Sequence, residues 1–106
     1  MADQARASHI LLMYVGSARS TATRSQAEAL EQINTLKSEI EGGADFGALA
    51  KEHSDCPSGQ EGGDLGWFSP GMMVPEFDDA VFAMEVGDNS DVVETAFGYH
   101  LIQRTG

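Results

Sequence analysis

The sequence predicts an α+β domain with a small sheet of about four strands, and three observations carry that prediction. Residues 5–14 and 99–104 are short, largely apolar runs bounded by turn-forming residues, as strands are. Ser25-Gln26-Ala27-Glu28 is a capping box, and apolar residues follow it at helical spacing. Glycine and proline clusters divide the remainder into elements, giving the order strand, two helices, strand, helix, two strands.

The first strand covers 5–14. Apolar residues lie on both of its faces from Ile10 onward, so it is a central strand covered on both sides. Alternation sets His9 on one face with Leu11 and Met13. Residues 15–24, rich in Gly, Ser, Thr and Ala, read as an exposed loop carrying Arg19 and Arg24. Ser25 then caps a helix whose stripe is Leu30, Ile33, Leu36 or Lys37, and Ile40, and Gly42-Gly43 ends it. A shorter helix starts at Asp45, places Phe46, Leu49 and Ala50 on one side, and stops near His53. Residues 54–63 cannot continue a helix and form a glycine-rich connection. Residues 64–68 make a short strand and 69–71 a turn. Val74-Pro75-Glu76 opens a third helix with Phe77, Ala80 and Val81 inward. After Gly87-Asp88-Asn89, strands at 91–95 and 99–104 form an antiparallel hairpin through Ala96-Phe97-Gly98.

A chain of 106 residues fits one domain, 1–106, with one modest core. Seventeen acidic residues against six basic ones give a formal charge of -11. Such a surface repels phosphate backbones and anionic lipid, which argues against nucleic-acid and membrane partners. The single cysteine forms no internal disulfide and suits a reducing compartment. Met1-Ala2-Asp3-Gln4 lacks the basic and apolar regions of a signal peptide, and a cytoplasmic location is expected.

The chemistry-bearing residues are His9 and His100 on strands and Cys56 beside the glycine-rich turn. Residue by residue, each histidine is open to two readings, a satisfied polar group or a catalyst. A nucleophilic thiol needs a cation or helix N-terminus to favour its thiolate. Cys56 instead follows Asp55 just past a helix end, where negative charge disfavours it. The spacing of the cysteine and histidines fits no zinc motif, and no metal or other cofactor is expected. Gly59-Gln60-Glu61-Gly62-Gly63-Asp64 is no phosphate cradle, because its carboxylates repel the ligand. Leu65, Trp67, Phe68, Met72, Met73, Phe77 and Phe82 read mostly as core, with Met72-Met73 placed to line an adaptable pocket.

Six segments in order give the string a family resemblance. Ser8-His9-Ile10-Leu11, Phe46-Gly47-Ala48-Leu49-Ala50, Ser54-Asp55-Cys56, Gly62-Gly63-Asp64-Leu65-Gly66-Trp67-Phe68, Met73-Val74-Pro75-Glu76-Phe77 and Thr95-Ala96-Phe97-Gly98-Tyr99-His100-Leu101-Ile102 resemble the parvulin peptidyl-prolyl isomerases. The resemblance implies a four-stranded antiparallel sheet wrapped by about four helices. It implies catalytic roles for His9, Cys56, Thr95 and His100, and a proline-binding wall of Leu65, Met73 and Phe77. Cys56 then serves polarity around the rotating bond and forms no covalent intermediate. One branch of the family takes phosphorylated Ser/Thr-Pro through a basic cluster after the first strand. Here that loop has only Arg19 and Arg24, set apart, so unphosphorylated Xaa-Pro with an apolar or neutral Xaa is expected. Partners are then proline-containing peptides and unfolded or partly folded proteins, met as a free-standing monomer. The alternatives are a parvulin-like chaperone domain with little catalysis and, behind it, a Cys/His hydrolase.

Overall fold

The computed structural model describes residues 4–18, 20 and 22–106. Met1, Ala2 and Asp3 of the expected leaderless N-terminus, and Arg19 and Thr21 of the loop, lie outside them. The elements are β1 (Ala5–Leu12), α1 (Gln26–Glu41), α2 (Phe46–His53), a 3-10 helix (Pro57–Glu61), β2 (Asp64–Phe68), α3 (Pro75–Phe82), β3 (Val93–Thr95) and β4 (Gly98–Arg104). The sheet is wholly antiparallel with strand order β2-β1-β4-β3, so β1 is central, as its two apolar faces require. No helix among the described residues is long and apolar enough to cross a membrane.

Alternation in the two central strands splits the interior in two. Ile10 and Leu12 of β1, with Tyr99 and Leu101 of β4, pack against Ala29, Ile33 and Leu36 of α1 and Phe46 and Ala50 of α2. The opposite parity places Ala5, Ala7, Phe68 and Ile102 against Phe77 and Val81 of α3. The first face is packed by both helices, with a small pocket of about 80 Å³ beside Phe46 and Leu101. The second is covered by α3 at the Ala5–Ala7 end and opens beyond it into a cavity.

The Ser25–Glu28 capping box forms as the sequence predicts: Glu28 N donates to Ser25 Oγ at 3.1 Å and Ser25 N to Glu28 Oε1 at 2.8 Å. The buried stripe of α1 begins one residue earlier than expected, at Ala29, and Leu30 is exposed. One residue is about 100° of helix rotation, enough to turn Leu30 out of the stripe. Asp45 caps α2 by accepting from Ala48 N at 2.8 Å. The 54–63 connection contains the 3-10 helix, a tighter turn that Pro57 can begin. Trp67 is exposed and leaves the expected core, since it pairs with Arg6 on the other parity from Phe68; Met72 is exposed in its turn, and of the two methionines only Met73 lines the cavity. β3 is shorter than 91–95 because Ser90 takes over the ladder. Its Oγ accepts from Ile102 N at 3.0 Å while its own N donates to Ile102 O at 2.8 Å.

Candidate active site

Three neighbouring strands deliver one polar line to the open face. His9 pairs with Ile102 and Leu11 with His100, so His9 and His100 are diagonal neighbours on the same side of the sheet. Val93 pairs with His100, so Thr95, two residues on, shares that side too. The side chains meet accordingly: His9 Nδ1 lies 3.1 Å from His100 Nδ1, and His100 Nε2 lies 2.8 Å from Thr95 Oγ1. All three residues are buried.

Only one proton fits between the two Nδ1 atoms when both rings are neutral. Neutrality follows from burial. Desolvation lowers the His9 pKa to about 4, and desolvation together with the neighbouring His9 lowers that of His100 to about 3. Thr95 Oγ1 accepts from Phe97 N at 3.2 Å, which frees its hydroxyl to donate to His100 Nε2. We assign the protons on that basis: His100 carries its hydrogen on Nδ1 and donates to His9, and His9 carries its own on Nε2. His9 Nε2 is buried without a hydrogen-bond partner, a cost of about 1–3 kcal/mol that the fold tolerates at this site.

A glycine fixes the depth of His9. Gly63 has φ +84 and its carbonyl accepts from His9 N at 3.0 Å. A Cβ at Gly63 would lie 2.3 Å from the His9 carbonyl oxygen, so the glycine-rich connection is what lets the loop press against β1.

A bulge then aims Leu65. Arg6 pairs with Trp67, but Ser8 pairs with Asp64, so Leu65 and Gly66 together oppose Ala7. Regular pairing would set Leu65 opposite Ser8, facing away from the site. The extra residue brings it to the open face, where it packs with the α3 cluster and lines the cavity. Asp64 Oδ1 accepts from Gly66 N at 3.1 Å and the Asp64 carboxylate pairs with Arg6 at 2.7 Å, which pins the bulge.

The cavity holds about 290 Å³ and its wall is almost entirely apolar. His9, His100, Cys56, Leu65, Met73 and Phe77 all line it. Phe77 stands edge-on to both imidazoles, with ring centroids 5.6 Å from His9 and 5.7 Å from His100. Thr95 is off this wall and is joined to it by its bond to His100.

Comparison with known proteins decides what such a cavity belongs to. The model of the PPIC-type PPIase domain matches residues 1–106. The chain belongs to this family. It is a peptidyl-prolyl cis/trans isomerase domain of the parvulin kind. It is 42% identical to peptidyl-prolyl cis-trans isomerase ESS1 of Saccharomyces cerevisiae, over 95% of this chain and 65% of that one. It is 40% identical to peptidyl-prolyl cis-trans isomerase Pin1 of Arabidopsis thaliana, over 97% and 96%. The solved structure of ESS1 from Candida albicans superposes with a TM-score of 0.92 at 36% identity, covering 98% of this chain and 63% of that one. The chain thus spans about two-thirds of the ESS1 proteins and nearly all of the plant relative.

Within the isomerase domain, the Asp55 carboxylate beside Cys56 is partnered: it pairs with Arg24 and accepts from Met13 N at 2.9 Å. Cys56 itself precedes the 3-10 helix and does not simply trail α2. Its Sγ accepts from Ser58 Oγ at 3.2 Å, and no hydrogen bond among the described residues joins it to a histidine. The histidine nitrogens that could serve as a base face each other and Thr95. Arg24 also donates to the Met13 carbonyl at 3.0 Å, so it is committed within the fold. Met13, Pro57, Val74, Phe97 and Leu11 line the isomerase cavity as well, yet none was singled out from sequence as a site residue. The parity that groups Met13 and Leu11 with His9 was the signal for two of them.

Proposed function

We propose that this isomerase domain acts without covalent chemistry on unphosphorylated Xaa-Pro bonds in peptides and incompletely folded proteins, with an apolar or neutral Xaa. The observation that carries this reading is the apolar cavity of about 290 Å³ whose polar members, His9 and His100, are held neutral by burial. Rotation about the prolyl bond must break amide resonance, against a barrier of about 18–20 kcal/mol. The twisted amide has lost conjugation and is less dipolar than the planar one. A dry cavity therefore favours it over the ground state, which is the differential binding that catalysis requires.

In this reading Leu65, Met73 and Phe77 grip the ring, and the preceding carbonyl swings past Cys56 and the imidazole pair. The Cys56 thiol, polarised by Ser58, and the imidazoles set the polarity met by that oxygen. Thr95 is a positioning residue that fixes the His100 tautomer. Phosphate is disfavoured because the described arginine of the loop, Arg24, already serves Asp55 and Met13, and because the chain carries a formal charge of -11.

The test is exchange NMR on matched Leu-Pro, Glu-Pro and phosphoserine-Pro peptides. Faster cis/trans exchange in the Leu-Pro peptide supports the reading. Acceleration confined to the phosphorylated peptide would overturn it.

A further inference from the structure

α3 carries Phe77 to the imidazoles, yet no polar side chain caps its start. Asp78 Oδ1 accepts from Gly71 N at 3.1 Å, which ties α3 to its own leading turn and not to the sheet. The fastening is at the other end, and β4 makes it. Arg104 N donates to Asp88 O at 3.0 Å and Gly87 N donates to Arg104 O at 2.7 Å, so the turn after α3 is paired to the sheet at that residue. The side chain reaches further. Arg104 Nη1 donates to Met84 O at 2.7 Å and to Val81 O at 3.5 Å, while Nε donates to Gly106 O at 2.9 Å. Val81 O and Met84 O lie at the end of a helix with no basic residue in its own last turn.

Arg104 is spent differently from its neighbours. Arg6, Arg24 and Lys37 each pair with an aspartate. Arg104 pairs with no carboxylate among the described residues, although the chain has seventeen acidic residues. Its guanidinium carbon instead stands 5.8 Å from the centre of the Phe82 ring. From there, rings meet in series. Phe82 meets Phe68 at 5.8 Å and 87°, and Phe68 meets Phe77 at 6.2 Å and 62°. Phe77 ends the series edge-on to His9 and His100. Phe68, buried on β2, is thus wedged between two rings of α3 that are about 7.5 Å of helix rise apart.

We infer that Arg104 and Phe82 are positioning residues of the isomerase: braced on Phe68, they fix the tilt of α3 and hence the place of the Phe77 ring beside the imidazoles. Neither residue lines the cavity. The inference rests on the proposed reading in one respect, that Phe77 grips the proline ring. A helix of two turns moves as a rod in a close-packed interior, so a tilt at Phe82 is felt at Phe77. Lysine cannot replace the arginine, because its ammonium lacks the planar fork that reaches Met84 and Gly106 together.

The experiment uses the whole chain with the peptides Ala-Leu-Pro-Phe and Ala-Ala-Pro-Phe at 10 °C. It reads kcat/KM by exchange NMR, and the ring signals of Phe77, His9 and His100 by chemical shift. Phe82→Leu should move those ring signals and lower kcat/KM by at least about tenfold, by the same factor for both peptides because the ring they share is what loses its grip. Arg104→Lys should act in the same direction. Phe82→Tyr keeps the ring and should stay within about twofold of the parent. Leu12→Ala, which weakens the other face of the sheet, is the stability control and should leave the ring signals and kcat/KM near the parent's. The inference is overturned if the ring signals stay native in both Phe82→Leu and Arg104→Lys while circular dichroism stays native. Moved signals with unchanged kcat/KM overturn it as well, and so does a loss of activity in Leu12→Ala equal to theirs. If the parent isomerises neither peptide yet the ring signals move in both variants, the bracing of Phe77 stands and the substrate reading falls.

Discussion

The two faces of the sheet are made from the same two strands and do opposite things. On one, Ile10, Leu12, Tyr99 and Leu101 pack against two helices, with only a pocket of about 80 Å³ at the Leu101 and Phe46 end. On the other, His9, Leu11 and His100 look into a cavity, and α3 covers only the end near Ala5 and Ala7. Stability is concentrated on the closed face, where buried apolar area is continuous. The open face gives up that continuity. It holds two neutral imidazoles, one with an unpartnered nitrogen, in surroundings that disfavour their charged forms. Along each central strand, residues packed under the helices therefore alternate with residues on the cavity side.

Substitutions can break this contrast. The largest effect is expected where the faces are locked in depth. Gly63→Ala puts a methyl 2.3 Å from the His9 carbonyl at a positive φ, and should cost about 4 kcal/mol in urea denaturation and reduce isomerase activity with it. Next is the closed face itself. Leu12→Ala, at a fully buried position, should cost about 3 kcal/mol and leave the cavity-lining shifts near their native positions.

The open face should instead respond to acid. In the folded chain the pKa values of His9 and His100 lie near 4 and near 3, below the ordinary 6.5. Between those values and 6.5 the unfolded chain binds protons that the folded chain refuses. Stability is therefore complete above about pH 6.5 and falls as pH drops toward 3, by up to about 1.4 kcal/mol per pH unit for each histidine. Urea midpoints across pH 4–7 check this slope. The rate should show no histidine inflection between pH 6 and 8, because both rings stay neutral there. The smallest effect belongs to the Lys37–Asp91 pair on the rim of the closed face. Asp91 is almost fully exposed, and Lys37→Met should leave the urea midpoint essentially where it is.

Much of this was legible in the sequence. The capping box of α1, the Asp45 start of α2, the proline start of α3 and the central place of β1 follow from local chemistry and periodicity. The placement of His9 with Leu11 and Met13 was readable from alternation alone. Leu65 was not readable in this way, because a bulge reverses its parity and only the glycine at 66 hints at one. Leu30 misled because the small Ala29 occupies the position facing the sheet. The surroundings of Cys56 depended on a pair between Asp55 and Arg24, 31 residues apart, which no local pattern encodes. Phe97 looked like a turn residue because turn position says nothing about which face its ring joins.

In the proposed function the imidazole pair serves catalysis while adding little to stability. The direct measurement is the double variant His9→Leu/His100→Leu, assayed by exchange NMR on a Leu-Pro peptide and by urea denaturation at pH 7 and pH 5. Apolar replacement of both partners removes a buried polar pair together, so the pH 7 midpoint should stay within about 1 kcal/mol of the parent. The loss of stability between pH 7 and pH 5 should shrink, and kcat/KM should fall at least about tenfold. A natively folded double variant with full activity would contradict the account.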